Sequence, residues 1–385
     1  MLNTQTMKRF SALALAGSLA LSGLAVGVTS ANAAPMPSQT ISIVNPDADP
    51  ATSGTWGKIP WTYDTATKTL ELGGYGKPTL VPENTEVFLT DGADQQATKF
   101  EMETVHLHGV TIEDAKQLTS MFADAKHLKT VTGLNSLNFE KVAEGKTVSF
   151  MDMFKYTAVE DANFAGINMA GHDINASGMF QGATSKYLNL TNLPVDHIVT
   201  ADAMYAENTN LTEVTYGGFS GPIPAPALKS ANAMFKDCTN VTSLYMNVEA
   251  PNLEQTNEMF DGCKSVKRIN FDFVKAQHVK SAQYMFRNCE NLEDAWMMSS
   301  DFSHLSKAEA MGMFENANKV SWLILPKASL DNLYEADAHG YSSLPRTDQK
   351  DAQWGVYGLE GPRTFGEWAA DQTISADTTM NLKLA

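Results

Sequence analysis

A Met-Phe pair, once Met-Tyr, returns along the chain at Met121-Phe122, Met153-Phe154, Met179-Phe180, Met204-Tyr205, Met234-Phe235, Met259-Phe260, Met285-Phe286 and Met313-Phe314. Successive pairs lie 25 to 32 residues apart. In the later repeats, apolar residues follow the Met by seven, ten and twelve positions. They are Leu211, Val214 and Tyr216 after Met204; Val241, Leu244 and Met246 after Met234; and Val266, Ile269 and Phe271 after Met259. Leu292, Ala295 and Met297 follow Met285, and Val320, Leu323 and Leu325 follow Met313. The repeats at Met153 and Met179 fit after a one-residue deletion, through Ala162/Phe164 and Leu188/Leu190. The first keeps Leu128 and Val131 but has Gly133 at the third place.

This is an L-x-x-L-x-L pattern. Its last two apolar positions are two apart, so they point to one face of a strand. The Met-Phe pair sits in segments such as Ser230 to Phe235 and Ser281 to Phe286, which lack Pro and Gly and carry Ala, Met and Phe. They predict a short helix. One strand and one short helix cannot bury an apolar face alone, but stacked copies can. The expected fold is an α/β repeat: a leucine-rich-repeat solenoid with a parallel sheet on one face and short helices on the other. Small β-rich N- and C-terminal caps would close its ends. Eight turns at about 4.8 Å per strand make a stack of roughly 35–40 Å.

The run Met234-Phe235-Lys236-Asp237-Cys238-Thr239-Asn240-Val241-Thr242-Ser243-Leu244 reads M-F-x-x-C-x-x-L-x-x-L, and it recurs from Met259 to Ile269 and from Met285 to Ala295. It resembles the BspA-type leucine-rich repeat (DUF285) of bacterial surface proteins. The segment Gly54-Thr55-Trp56-Gly57-Lys58-Ile59-Pro60-Trp61 resembles the G-T-W-G-x-x-P-W leader that often precedes such arrays. The resemblance covers residues 51–330. It implies an exported bacterial surface or secreted protein, with adhesion or host interaction as the role. The chain departs from the family in lacking an evident wall anchor and the regular Asp-Leu-Ser after the central Leu.

Residues 1–33 read as a secretory signal peptide: Lys8 and Arg9, an apolar run from Phe10 to Val28, and the A-x-A site Ala31-Asn32-Ala33. The alternative is an uncleaved membrane anchor, for which the run is short and glycine-rich. The expected location is secreted or extracellular, or associated with the cell surface, with no transmembrane segment after cleavage. Residues 34–50 read as a linker, 51–100 as a β leader capping the array, 101–326 as the solenoid, and 327–385 as a C-terminal cap or small β extension.

Charge excludes some partners. Twenty-eight Lys and Arg stand against 44 Asp and Glu, a formal net charge of -16. That disfavours nucleic-acid binding, which rests on cationic neutralisation of phosphates, and docking on anionic membranes. Cys238, Cys263 and Cys289 all stand four residues after the Met. A disulfide, a redox site or a metal site is one reading. A buried ladder is the other, favoured because Ala125, Thr157, Ala183 and Ala317 fill the same place elsewhere. The ladder would continue through Met234, Phe235, Met259, Phe260, Met285 and Phe286.

His106 and His108 share one strand face without a third metal ligand evident in sequence. Asn45, Asp47 and Asp49 alternate but lack the Gly and closing Glu of a calcium loop. Ser220 does not sit in G-x-S-x-G, and Gly73 to Lys77 lacks the phosphate-loop spacing. No catalytic residue, metal or cofactor is expected.

The strand residues between the apolar ones face outward. Eleven after the Met they are Thr215, Tyr245, Asn270, Trp296 and Ile324; nine after it they are Glu213, Ser243, Arg268, Asp294 and Trp322. In register, these make two columns. Tyr, Trp and Arg are the types enriched at interface hot spots, so the candidate binding residues are Tyr245, Arg268, Trp296, Trp322, Asn270 and Asp294. The competing expectation is that Trp296 and Trp322 pack beneath residues 327–385. The expected function is binding or adhesion to a protein or glycan on a host or neighbouring cell. The alternatives are a secreted polysaccharide-acting enzyme and a structural spacer in a surface assembly.

Overall fold

The structure is a computed structural model that describes residues 49–74, 79–80, 88–89, 92–190, 192–215, 223–245, 248–271, 274–345, 349 and 351–385. The signal peptide, most of the linker, Ser220 and its glycines, and Tyr75 to Lys77 lie outside the described residues.

The L-x-x-L-x-L segments form strands that stack in register as a leucine-rich-repeat solenoid. An eight-stranded sheet runs Ser53–Trp56, Ile59–Asp64, Thr69–Gly73, Thr104–His108, Thr130–Thr132, Asp161–Ala162, Tyr187–Asn189 and Glu213–Thr215. Its first two junctions are antiparallel and the remainder parallel. A six-stranded sheet runs Ser243–Tyr245, Arg268–Asn270, Asp294–Trp296, Trp322–Pro326, Thr379–Leu384 and Trp354–Val356. Short parallel strands such as Val148–Ser149, Ile174–Asn175 and Ile198–Thr200 line a second wall. Single bridges continue that wall from Thr200 through Ser230 and Gln255 to Ser281.

The Met-Phe segments are not helices. They are runs of turns with positive φ at two positions in every repeat. One precedes the Met: Ser120, Asp152, Gly178, Ala203, Ala233, Glu258, Tyr284 and Gly312. The other follows it by three: Asp124, Tyr156, Gly182, Glu207, Asp237, Gly262, Asn288 and Asn316. A left-handed residue every fourth position cannot continue a right-handed helix. The hydrogen bonds show what replaces it. The N–H groups of Met234, Lys236 and Cys238 donate back three residues within the turn, at 3.4, 3.0 and 3.1 Å. Those of Ala233, Phe235 and Asp237 donate to Asn257, Met259 and Asp261 of the next turn, at 2.7, 2.8 and 2.8 Å. Every second N–H is thus spent between turns, and the segment is a lateral ladder.

The core follows from this stacking. Phe122, Phe154, Phe180, Tyr205, Phe235, Phe260, Phe286 and Phe314 form one column, with ring centroids 4.8 to 5.9 Å apart and planes within 7 to 24° of parallel. Each such contact is worth about 0.5–1.5 kcal/mol beyond the area it buries. Cys238, Cys263 and Cys289 are free and buried. Their Sγ atoms donate to the carbonyls of Tyr205, Phe235 and Phe260 in the preceding turn, at 3.0, 3.1 and 3.2 Å. Burial pushes the Cys238 thiol up to about 12 and the Cys263 and Cys289 thiols well above their ordinary value. A thiol that is protonated and buried is a poor nucleophile and packs as a small apolar group.

At the N-terminal end Trp56, Ile59, Trp61 and Tyr63 bury one face of the antiparallel strands. Phe88 joins them to the column, against Trp56 and Phe122. At the other end residues 327–385 are not purely β. They contribute helices Lys327–Ala338 and Phe365–Ala370 as well as two strands. The second helix starts at a capping box between Thr364 and Glu367.

Candidate functional site

Register puts the outward residues of the six-stranded sheet side by side. Arg268, Asp294, Trp322, Lys383 and Gly355 are successive Cα partners in one row. Tyr245, Asn270, Trp296, Ile324 and Asn381 make the adjacent row. The intervening Leu244, Ile269, Ala295, Leu323 and Leu382 point into the core. Alternation along each strand separates packing from display in the first row; in the second, Asn270 and Ile324 are themselves buried.

Trp296 and Trp322 are both partly exposed, with ring centroids 5.0 Å apart and planes at 67°. A cation covers each. The Arg268 guanidinium carbon is 5.2 Å from the Trp296 ring centroid, and Lys383 Nζ is 4.2 Å from that of Trp322. Arg268 Nε and a terminal guanidinium nitrogen reach the same Asp294 oxygen, Oδ2, at 2.8 and 2.7 Å. The Trp322 indole N–H donates to Asn381 Oδ1 at 2.7 Å. The Trp296 indole N–H is buried with no partner among the described residues, so that edge of the ring faces inward. The patch is a ridge of two indoles with a cation at each end.

Of the sequence-predicted residues, Arg268, Asp294, Trp296 and Trp322 are brought together here. Asn270 is buried, so its side chain offers a partner little surface. The side chain of Tyr245 lies outside the described residues. Residues 327–385 do not simply lie over the indoles. Strand Thr379–Leu384 extends the sheet edge-on against Trp322–Pro326 and adds Lys383 and Asn381 to the face. The alternation of Thr379-Met380-Asn381-Leu382-Lys383-Leu384 was the available signal for that strand. Tyr357, which follows the edge strand and donates its N–H to the Asn381 carbonyl, is 92% exposed. Tyr187 is 60% exposed on the eight-stranded sheet; its one-residue offset hid it from the column count.

On that sheet Glu71 lies opposite His106. Its carboxylate meets His106 Nδ1 at 3.0 Å and also bonds His108 Nε2. Burial pushes the Glu71 carboxyl up, but hydrogen bonds from His108 and His106 outweigh it and hold it below its ordinary value. Among the described residues, no group of three His, Cys, Asp or Glu side chains is placed to hold a metal ion. An apolar cavity of about 20 Å³, lined by Leu193, Ile198, Met204, Leu228, Met234 and Val248 among others, is roughly one water in size. No helix among the described residues is long and apolar enough to cross a membrane.

No family model matches the chain, and no curated protein matches it. A solved structure, a leucine-rich repeat protein from Eubacterium ventriosum, is similar over 70% of this chain and 92% of that one. The identity is 11% and the TM-score 0.25. The in-register parallel strands and the repeating turn ladder define the fold of this chain.

Proposed function

We propose that the chain is exported and acts outside a bacterial cell as a recognition or adhesion protein, binding a surface protein or glycan on the outward face of its C-terminal sheet. Solenoids present extended surfaces built from the variable positions of each repeat, and this is their usual mode of binding. The observation that carries the reading is the ridge formed by Arg268, Trp296, Trp322 and Lys383 on an otherwise acidic chain. Large aromatic and guanidinium groups held rigidly at a surface lose little entropy on binding, which is why they dominate interface energetics. The signal-like segment at residues 1–33 supports export.

The test is capture of mucin, matrix proteins and host-cell surface extract by immobilised protein. An Arg268→Ala/Trp322→Ala variant, checked for native circular dichroism, runs beside it. Saturable capture lost in the folded variant supports the reading. Equal capture by both proteins, or none by either, overturns recognition through this face. If the double variant is misfolded, Arg268→Ala alone serves, since Arg268 is 40% exposed. Sequencing the N-terminus of the protein from culture supernatant tests export; a start at Ala34 is expected.

A further inference from the structure

Resting on that reading, we infer that the partner is a protein segment that presents carboxylates, and not a glycan. Sugar rings bind aromatic side chains by lying flat on an open ring face. Here each indole carries a cation over its ring, Arg268 at 5.2 Å from Trp296 and Lys383 at 4.2 Å from Trp322. The two rings also stand at 67° to each other and form no common plane. The ridge is therefore a poor sugar platform.

It is a good anion site. Arg268 is neutralised by Asp294, whose side chain is only 14% exposed. Lys383 is exposed and rests on the indole face of Trp322; no carboxylate pairs with it among the described residues. Its register partner on the edge strand is Gly355, which puts no side chain beside it. One side of the ammonium thus rests on Trp322 and the other is open to a ligand. Arg268, Asp294 and Lys383 leave this face locally positive on a chain whose net charge is -16. A carboxylate seated on Lys383 would gain a charge-assisted hydrogen bond. Flanking residues of a peptide would pack on the Trp322 edge and on Tyr357, exposed just beyond the edge strand. At about 0.15 M salt the Debye length is about 8 Å, so the chain's distant carboxylates repel such a ligand little.

The test is selection of a displayed library of random short peptides on the immobilised chain, with a glycan array of neutral and uronic oligosaccharides beside it. Lys383→Glu and Lys383→Arg variants accompany the native chain in both. Selected peptides enriched in Asp and Glu are expected. Their affinity should fall about tenfold in Lys383→Glu and persist in Lys383→Arg. Peptides with no acidic enrichment, or with affinity unchanged in Lys383→Glu, overturn the inference. So does glycan binding, neutral or uronic. Failure here is distinguishable from failure of the function itself: capture of surface extract that depends on Arg268 and Trp322 but not on Lys383 leaves the recognition reading standing and removes only the carboxylate partner.

Discussion

Asn208 stands at the position that Cys238, Cys263 and Cys289 occupy in the next three turns and Ala183 in the turn before. It is fully buried, and neither its Oδ1 nor its Nδ2 has a partner among the described residues. A buried polar group that gives up water without replacement costs about 1–3 kcal/mol. Asn208→Cys removes that cost at nearly constant side-chain volume, so little cavity is left to oppose the gain. The neighbouring turns show where the new thiol would go. Each ladder thiol donates to the carbonyl of the column aromatic one turn back, which for position 208 is that of Phe180. The expected stabilisation is about 1–3 kcal/mol. Thermal unfolding under reducing conditions, followed by circular dichroism, should show a midpoint higher by a few degrees. Asn208→Ala should gain less, because it also opens a void. A midpoint for Asn208→Cys equal to or below that of the native chain would refute the reasoning and mean that the amide is paired, for example by an internal water.

Two further tests address the turn ladder and the thiols. Gly182 has φ +65°, and a Cβ there would lie 2.3 Å from the Tyr156 ring; Gly182→Ala should cost more than about 2 kcal/mol, and a Gly182→Ala/Tyr156→Ala double variant should recover part of that loss in a mutant cycle. The native thiols should resist Ellman's reagent at neutral pH and react only on unfolding. Because the folded Cys238 value of about 12 lies above the unfolded one, near 8.5, the stability it contributes is whole below about pH 8.5 and is lost as pH rises toward 12. A stability profile flat across that interval would contradict the burial of the ladder.

Much of the fold was readable in particular residues. The offsets to Leu244 and Ile269 mark inward strand positions because burial in a strand repeats every second residue, and those to Val241 and Val266 mark the buried residue just before each strand. The equivalence of Cys238, Cys263 and Cys289 with Ala125 and Ala183 marks small buried side chains in the sequence itself. The Met-Phe segments read as helices because Ala and Met favour helix, but propensity yields to context. Gly178, Gly182, Gly262 and Gly312 were the available warning: all four fall on the two left-handed positions.

The candidate face divides the same way. Its Arg268, Asp294, Trp296 and Trp322 follow from counting along the repeat. Lys383 and Asn381 do not, because they lie beyond the repeat and reach the face only through antiparallel pairing with Trp322–Pro326. The sequence by itself determined the turn length, the inward positions and the residue types displayed outward, since apolar burial is periodic and local in the chain. Only the tertiary structure decided which N–H groups bond to the next turn, and which distant strand completes the face. Both choices depend on an acceptor or an edge that exists only once the neighbouring turn has folded beside it.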